Sequence, residues 1–264
     1  MPLSLETFST IAEAGAALAT GGGRYLGGGT LAVRAANEGD LSFDRLVRSV
    51  DPALRRIAVS DGIVRIGASV TMAAIAGHRD LSAVAPAARA VGGPAIRNMA
   101  TVGGNLFAPT PYGDFAVALL ALGATVDVDG KAMDVDEFLI VRDKVKGILT
   151  GVSFILPAAG AFRFSKVSRI KPKGVSVLSI AARIDTDANG EVTAARIALG
   201  CMADRPIRAK KAEEALVGAR LASDSVAAAV EAVSDGLRPP TDPVASAWYR
   251  REVLPVHFRR LLTA

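Results

Sequence analysis

The chain has 264 residues, 50% of them hydrophobic, with 31 basic and 26 acidic side chains and a net charge of +5. That is enough for one large or two modest domains with a sizeable core. The positive excess is mild and spread out, and no long basic run carries interleaved aromatics, which argues against nucleic-acid binding.

Cys201 is the one cysteine, so no disulfide forms within the chain. An iron–sulfur cluster needs about four thiolates, more than this chain has. The two histidines, His78 and His257, lie far apart in sequence and read as surface or core residues rather than metal ligands. No apolar run approaches the ~20 residues of a membrane span. The short stretch near Ala14–Ala19 has no basic segment before it, as a signal peptide would. The expectation is a soluble cytoplasmic protein without a metal of its own.

In chain order, residues 4–20 predict a helix capped by Ser4, with Phe8, Ile11, Ala12 and Leu18 at partial helical spacing and Gly21-Gly22-Gly23 ending it. Arg24–Leu26 predicts a short strand feeding the cluster Gly27-Gly28-Gly29-Thr30. Leu46-Val47 is a second short strand. Arg55–Val59 and Ile63–Ala68 flank Asp61-Gly62, a hairpin signal. Thr71 caps a helix over Met72–Gly77, and Leu81–Val91 predicts another, broken by Gly92-Gly93-Pro94. After Asp114 come an apolar helix (Phe115–Leu122), a strand (Ala124–Val128), a helical turn (Val135–Leu139) and a strand (Gly147–Leu156).

Pro157–Gly160 interrupts the pattern and divides the chain into 1–159 and 160–264. Beyond it, Phe162–Ser168, Val175–Asp185 and Glu191–Leu199 predict strands. Helices over Pro206–Leu216 and Ser223–Ser234, a rigid Pro-rich linker over 238–243 and a closing helix over Ser246–Leu262 follow. Strands followed by helices give an α+β architecture with a three-stranded sheet in the second half.

The chemistry concentrates in Ile96–Asp114, IRNMATVGGNLFAPTPYGD. Glycine reaches positive φ at little cost and carries no side chain to fend off a ligand. Successive N–H groups in such a turn form an anion-binding concavity. Thr101 and Asn105 flank Gly103-Gly104 and add side-chain donors. Asp114 is placed to cap the following helix or, unpaired, to accept bonds from sugar hydroxyls. Neither GxxxxGK[ST] nor a Rossmann GxGxxG with a downstream acidic residue is present. Two glycine clusters converging on one pyrophosphate would do the same work with backbone donors. No nucleophile–base constellation is visible, so no catalytic side chain is assigned.

RNMATVGGNLFAPTPYGDFAVALLALGATV resembles the segment around the flavin site in the FAD-binding medium subunits of the molybdenum hydroxylases, the xanthine dehydrogenase and carbon monoxide dehydrogenase family. LGGGTLAVRAANEG resembles the first FAD loop of the same subunits, and the likeness runs from Pro2 to about Leu262. In the first loop Gly28, Gly29 and Thr30 match, Gly27 replaces the family's alanine, and Leu31 stands where a serine or aspartate is common. In the second loop Thr101, Gly103, Gly104 and Asn105 match. Asp114 matches the carboxylate that reaches the flavin's polar chain, and Lys166 resembles a basic residue near the start of the second domain.

The resemblance implies FAD as cofactor. It implies a two-part α+β, non-Rossmann FAD-binding domain (PCMH-type, vanillyl-alcohol-oxidase-like), then a smaller domain of three-stranded antiparallel sheet and helices. It also implies an electron-transfer role. A large molybdopterin subunit oxidises the substrate, and a small subunit with [2Fe–2S] clusters relays the electrons. The FAD passes them to NAD, a quinone or oxygen, within a dimer of heterotrimers. Two other readings stay open: a stand-alone flavoenzyme of the same domain type, and a flavin-less structural subunit. Alternatives also stay open for single residues. Lys166 reads as a cofactor contact or a solvated strand lysine, and Tyr112 as stacked on the flavin or simply packed. Arg97 pairs with a phosphate, pairs with Asp114 or is structural. The basic cluster of Lys166, Arg169, Lys171 and Lys173 borders the flavin or a partner, or is a solvated loop. Arg250-Arg251 and Arg259-Arg260 read as basic residues favouring the closing helix's dipole.

Overall fold

The computed structural model describes residues 3–170 and 174–264. Pro2 and the cluster members Lys171 and Lys173 lie outside these described residues. The helix expected over residues 4–20 starts later than its spacing suggests. Ser4–Phe8 is a strand, β1, and the helix α1 spans only Ile11–Ala19. Thr10 Oγ1 accepts from Glu13 N at 3.2 Å while Glu13 Oε2 accepts from Thr10 N at 3.0 Å. This Thr-x-x-Glu capping box starts the helix after Phe8 and frees the preceding residues to pair. β1 runs parallel to β3 (Arg45–Ser49), as does β2 (Gly23–Tyr25), in a three-stranded sheet of order β1-β3-β2. Helix α2 (Ala32–Asn37) follows the first glycine cluster.

The second sheet is antiparallel, order β4-β5-β8-β6-β7. β4 (Ile57–Ser60) and β5 (Ile63–Gly67) are joined through Asp61 and Gly62, at φ 51° and 71°. Two left-handed residues give the tight hairpin that the Asp-Gly pair predicts. The same device at Asp129-Gly130 joins β6 (Thr125–Val128) to β7 (Lys131–Asp134). β8 (Leu149–Ile155) pairs with both β5 and β6.

Between β5 and β6 run five α-helices. Thr71 caps α3 (Met72–Gly77) as expected. The helix predicted over Leu81–Val91 shrinks to α4, Ala85–Ala90, because Pro86 is tolerated only in its first turn. α5 (Pro94–Met99) uses Pro94 as an initiator, at the place where Gly92-Gly93-Pro94 predicts a break. The Gly103-Gly104 pair lies in a short helix, α6 (Val102–Leu106), capped by Thr101, rather than in an open turn. α7 (Asp114–Leu122) is buried at all nine positions. α8 (Val135–Val141) extends the turn expected at Val135–Leu139.

The second half forms an antiparallel sheet of order β12-β11-β10-β9: β9 (Phe162–Ser168), β10 (Ser176–Thr186), β11 (Val192–Gly200) and β12 (Ile207–Arg208). The predicted sheet of three strands gains the two-residue β12. It takes the start of the helix expected over Pro206–Leu216, leaving α9 (Lys210–Leu216). Glu213 explains the switch. It accepts from Ile197 N of β11 at 2.8 Å and ion-pairs with Arg208, tying the helix to the sheet edge. α10 (Ala227–Ala232) is shorter than predicted, and α11 (Ala247–Thr263), capped by Ser246, closes the chain.

α7 packs on β10 and β11 on one side and on α4 and α6 on the other. A helix apolar all round needs such double cover. One core therefore runs from Leu54 through Phe115 to Phe162, Ala181 and Ala198. A second lies on the far face of the last sheet, where Leu178, Ile180 and Ile197 meet Leu254 and Phe258. Among the described residues, no helix is long and apolar enough to cross a membrane.

Candidate FAD site

The two glycine clusters, more than seventy positions apart, touch. β2 delivers Leu26, whose N–H donates to Val47 O at 2.7 Å, and the chain then turns through Gly27–Leu31. The start of α6 is held from behind, since Val102 N donates to Val70 O at 3.0 Å and Gly103 N to Ala68 O at 2.9 Å. A Cβ on Gly27 would lie 2.8 Å from Thr101 Oγ1 and 3.7 Å from Gly104 N. A Cβ on Gly28 would overlap the Met99 carbonyl oxygen and sit 3.1 Å from Ala100 Cα. The absence of these two side chains lets the first loop lie on the second.

The clusters divide the work differently from the sequence expectation. Among the described residues, the backbone N–H groups of Gly27 through Leu31 donate to no protein acceptor. Gly29, at φ 75°, bends this run, and successive unpaired N–H groups around a left-handed residue form an anion-binding concavity. The second cluster is more committed. Gly103 N is used by Ala68, and Gly104 N donates to Thr101 Oγ1 at 3.2 Å. Gly103 is buried, with room for a Cβ only 3.2 Å from Ala68 Cβ, so it serves close packing. Asn105 is buried and its Oδ1 accepts from Ala116 N at 2.8 Å, capping α7. Of this cluster only Gly104 is exposed. Leu31, at the N-cap of α2, makes no side-chain cap bond.

Asp114 does not cap α7. Gly113, at φ 94°, holds that position, and Asp114 is the first helical residue. Its carboxylate is not unpaired either. Oδ1 accepts from Ser176 Oγ at 2.6 Å and Oδ2 from Lys166 Nζ at 2.9 Å, and Lys166 Nζ also donates to Ala90 O at 2.8 Å. With side chains only 12% and 8% exposed, Lys166 and Asp114 form an inter-element ion pair, not the solvated strand lysine. The pair joins the end of α4, the start of α7 and β9. Sequence reading missed Ser176, the first residue of β10, because nothing local marks a serine that meets a carboxylate sixty-two positions away. Breaking such a pair leaves a buried carboxylate under-compensated, so Lys166→Met is expected to cost about 3 kcal/mol. Urea unfolding measures this, and adding Asp114→Asn should recover part of the loss. Additive single-variant effects would show the pair uncoupled.

The other candidates make contacts within the chain. Arg97 donates to Arg89 O at 3.0 Å and Gly92 O at 2.7 Å, holding the α4–α5 corner rather than Asp114. Tyr112 Oη accepts from Arg34 Nη1 at 3.0 Å. Arg169 reaches Pro243 O at 3.5 Å. His78 Nδ1 accepts from Asp80 N at 3.3 Å, and no metal-binding group of His, Cys, Asp or Glu exists among the described residues. Cys201 is buried, and burial together with the nearby Asp114 charge pushes its thiol up to about 12, which makes it inert.

Residues 2–154 match the family model described as the FAD binding domain in molybdopterin dehydrogenase, and residues 163–264 the CO dehydrogenase flavoprotein C-terminal domain. The chain is 32% identical over 179 residues to the glyceraldehyde dehydrogenase medium chain of Sulfolobus acidocaldarius, covering 64% of this chain and 63% of that one. It is 30% identical over 224 residues to the nicotinate dehydrogenase FAD-subunit of Eubacterium barkeri, covering 79% and 76%. In fold it is similar to a chain of the Cu,Mo-CO dehydrogenase crystal structure, with a TM-score of 0.90 at 23% identity over 99% and 97% of the two chains. Quinoline 2-oxidoreductase from Pseudomonas putida 86 gives 0.88 at 24% over 99% and 96%. With both family models matched in order, and with the first model spanning the two touching glycine clusters, the chain belongs to the FAD-binding medium subunits of the molybdenum hydroxylases, and its cofactor is FAD.

Proposed function

We propose that this chain is the electron-transfer subunit of a molybdenum hydroxylase complex, taking electrons from the [2Fe–2S] clusters of a small subunit and delivering them to an external acceptor such as NAD, a quinone or oxygen. The observation that carries the site assignment is the run of unpaired N–H groups at Gly27–Leu31 facing the start of α6. That donor set fits a pyrophosphate, which needs several oriented donors and close backbone approach. FAD, when bound, supplies the chemistry of accepting electrons singly and releasing them as a pair.

The protein's own residues bind and orient it. Gly27, Gly28, Gly29, Thr30 and Leu31 hold the pyrophosphate through their backbones. Thr101 and Gly103 set the wall opposite, with Gly104 as its open face. Asn105 fixes the start of α7, and Asp114, held by Lys166 and Ser176, presents a polar edge to the flavin's hydroxylated chain. Residues 1–159 act as the FAD-binding unit and 160–264 as the second domain. Supporting this division, β8 ends at Ile155 and β9 begins at Phe162. The partners are a molybdopterin-binding large subunit and the iron–sulfur small subunit, in a dimer of heterotrimers. In support, a relative 30% identical is named as subunit alpha of a 6-hydroxypseudooxynicotine dehydrogenase complex.

Gly104 offers the direct test. A Cβ there meets only Thr101 Oγ1, at 3.2 Å, so a side chain fits with a small shift. Gly104→Asp then places a carboxylate beside a phosphate. Like charges at such range are worth several kcal/mol in a partly desolvated site, so FAD binding should weaken about a hundredfold while folding persists. Gly104→Ala should bind nearly as wild type. Full FAD occupancy in the aspartate variant, read from the absorption spectrum after desalting, would remove the second cluster from the site.

A further inference from the structure

Most cations around the two clusters are already engaged. Lys166 is paired with Asp114, and Arg97 binds backbone carbonyls. Arg24 lies 3.6 Å from Asp40 and over the Phe43 ring, 5.2 Å from its centroid. Arg34 is different. It stands on α2 three residues beyond Leu31, one helical turn from the unpaired N–H groups, which places the two Cβ atoms roughly 5–6 Å apart. Its Nε donates to Glu38 Oε1 at 2.8 Å, the familiar i,i+4 pair. Its Nη1 leaves its own helix and donates to Tyr112 Oη at 3.0 Å. Nη2 has no acceptor among the described residues.

Tyr112 sits two residues before Asp114, on the turn that leads into α7. The guanidinium therefore spans from the helix of the first loop to the turn of the second. The first loop itself offers backbone donors but no charged side chain, and Leu31 at the α2 N-cap adds none. A pyrophosphate bound there would carry two negative charges met only by neutral N–H groups, whereas charge-assisted bonds are about twice as strong as neutral ones.

We propose that Arg34 is the counter-charge for the FAD pyrophosphate and that Tyr112, by holding its Nη1, makes it a strap across the entrance to the site. This rests on the reading of Gly27–Leu31 as the pyrophosphate loop. Arg34 thus sets how tightly the dinucleotide is held and how that hold responds to ionic strength. Tyr112 acts as a positioning residue, and Glu38 anchors the side chain from within α2.

The test is titration of the deflavinated full chain with FAD at low and high salt, with riboflavin, which has no phosphate, as a parallel probe. Losing one charge-assisted contact should make Arg34→Gln bind FAD about tenfold more weakly at low salt, and the gap should narrow at high salt as the charge is screened. Riboflavin binding should not change. Arg34→Lys should keep the salt dependence while losing part of the affinity, and Tyr112→Phe should release FAD faster with a smaller loss. Arg34 is exposed, so these variants are expected to fold, and circular dichroism checks it. Wild-type FAD affinity and salt response in Arg34→Gln would overturn the inference while leaving the FAD site intact. An equal loss of riboflavin binding would also overturn it, as general damage to the site. A wild-type chain that binds no FAD at all would overturn the FAD reading and this inference together.

Discussion

Gly28→Ala is expected to abolish FAD retention, the largest effect of any single methyl group near the site. The added carbon would occupy the position of the Met99 carbonyl oxygen and press on Ala100 Cα at 3.1 Å. Both are backbone atoms, so no rotamer change relieves the clash, and one loop has to move off the other. Overpacking typically costs about 1–3 kcal/mol, and an overlap with a backbone carbonyl puts this one at the upper end or beyond. The unpaired N–H groups of Gly27–Leu31 would then lose their register with α6. Two measurements check it: flavin content after desalting, expected near zero, and the thermal midpoint, expected to fall. Gly104→Ala is the matched control, since its Cβ meets only a hydroxyl. If Gly28→Ala retained FAD like that control, the close approach of the loops would be irrelevant to binding.

Arg250→Ala is expected to be the most destabilising substitution in the second half, by about 4 kcal/mol. Arg250 lies at the start of α11 and is fully buried, so the dipole role expected for it from sequence does not apply. Its Nε donates to Val177 O at 2.9 Å, Nη1 to Pro240 O at 2.7 Å, and Nη2 to both carboxylate oxygens of Asp242 at 2.9 and 3.0 Å. One guanidinium thereby pins the Pro-rich linker and α11 onto β10. Truncation takes a donor from each of two carbonyls and the cation from a carboxylate that keeps only the N–H groups of Val244 and Ala245. Burial pushes the Asp242 carboxyl up. Its bonds from Arg250 and from the N–H groups of Ala245 and Val244 outweigh that and hold it below the usual range. A depressed carboxylate stabilises the fold above its unfolded value, near pH 3.9, and that contribution disappears as the pH falls through the folded value. The gap in urea midpoint between wild type and Arg250→Ala should therefore be full at pH 7 and narrower near pH 3. A constant gap would show that Arg250 acts through packing alone.

Much of the architecture was legible along the chain because its signals are local. Asp61-Gly62 forces two left-handed residues and gives the β4–β5 hairpin. Thr71 and Ser246 cap the helices they were expected to cap. The errors also have local causes. Phe8 continues the helical spacing of Ile11 and Leu18, yet the Thr10–Glu13 capping box ends the helix short of it. Gly92-Gly93-Pro94 reads as a break and Pro86 falls inside the helix predicted over Leu81–Val91, but proline in a first turn starts a helix.

The candidate site shows the same division. Residue types and order in the two glycine clusters pointed to a phosphate-bearing cofactor, because only glycine permits both positive φ and close backbone approach. Which cluster keeps its N–H groups free was not readable, since Gly103 N is consumed by Ala68, thirty-five positions upstream. Nor was the fate of Asp114, a plausible helix cap by sequence, which folding turns into the partner of Lys166 and Ser176 from the β9–β12 sheet. Local conformational preference and the chemical identity of a motif are properties of short stretches, so the chain alone carries them. Hydrogen-bond satisfaction and charge pairing depend on which distant groups burial brings within 3 Å, and those assignments are made only when α7 is enclosed between the sheet and α4 and α6.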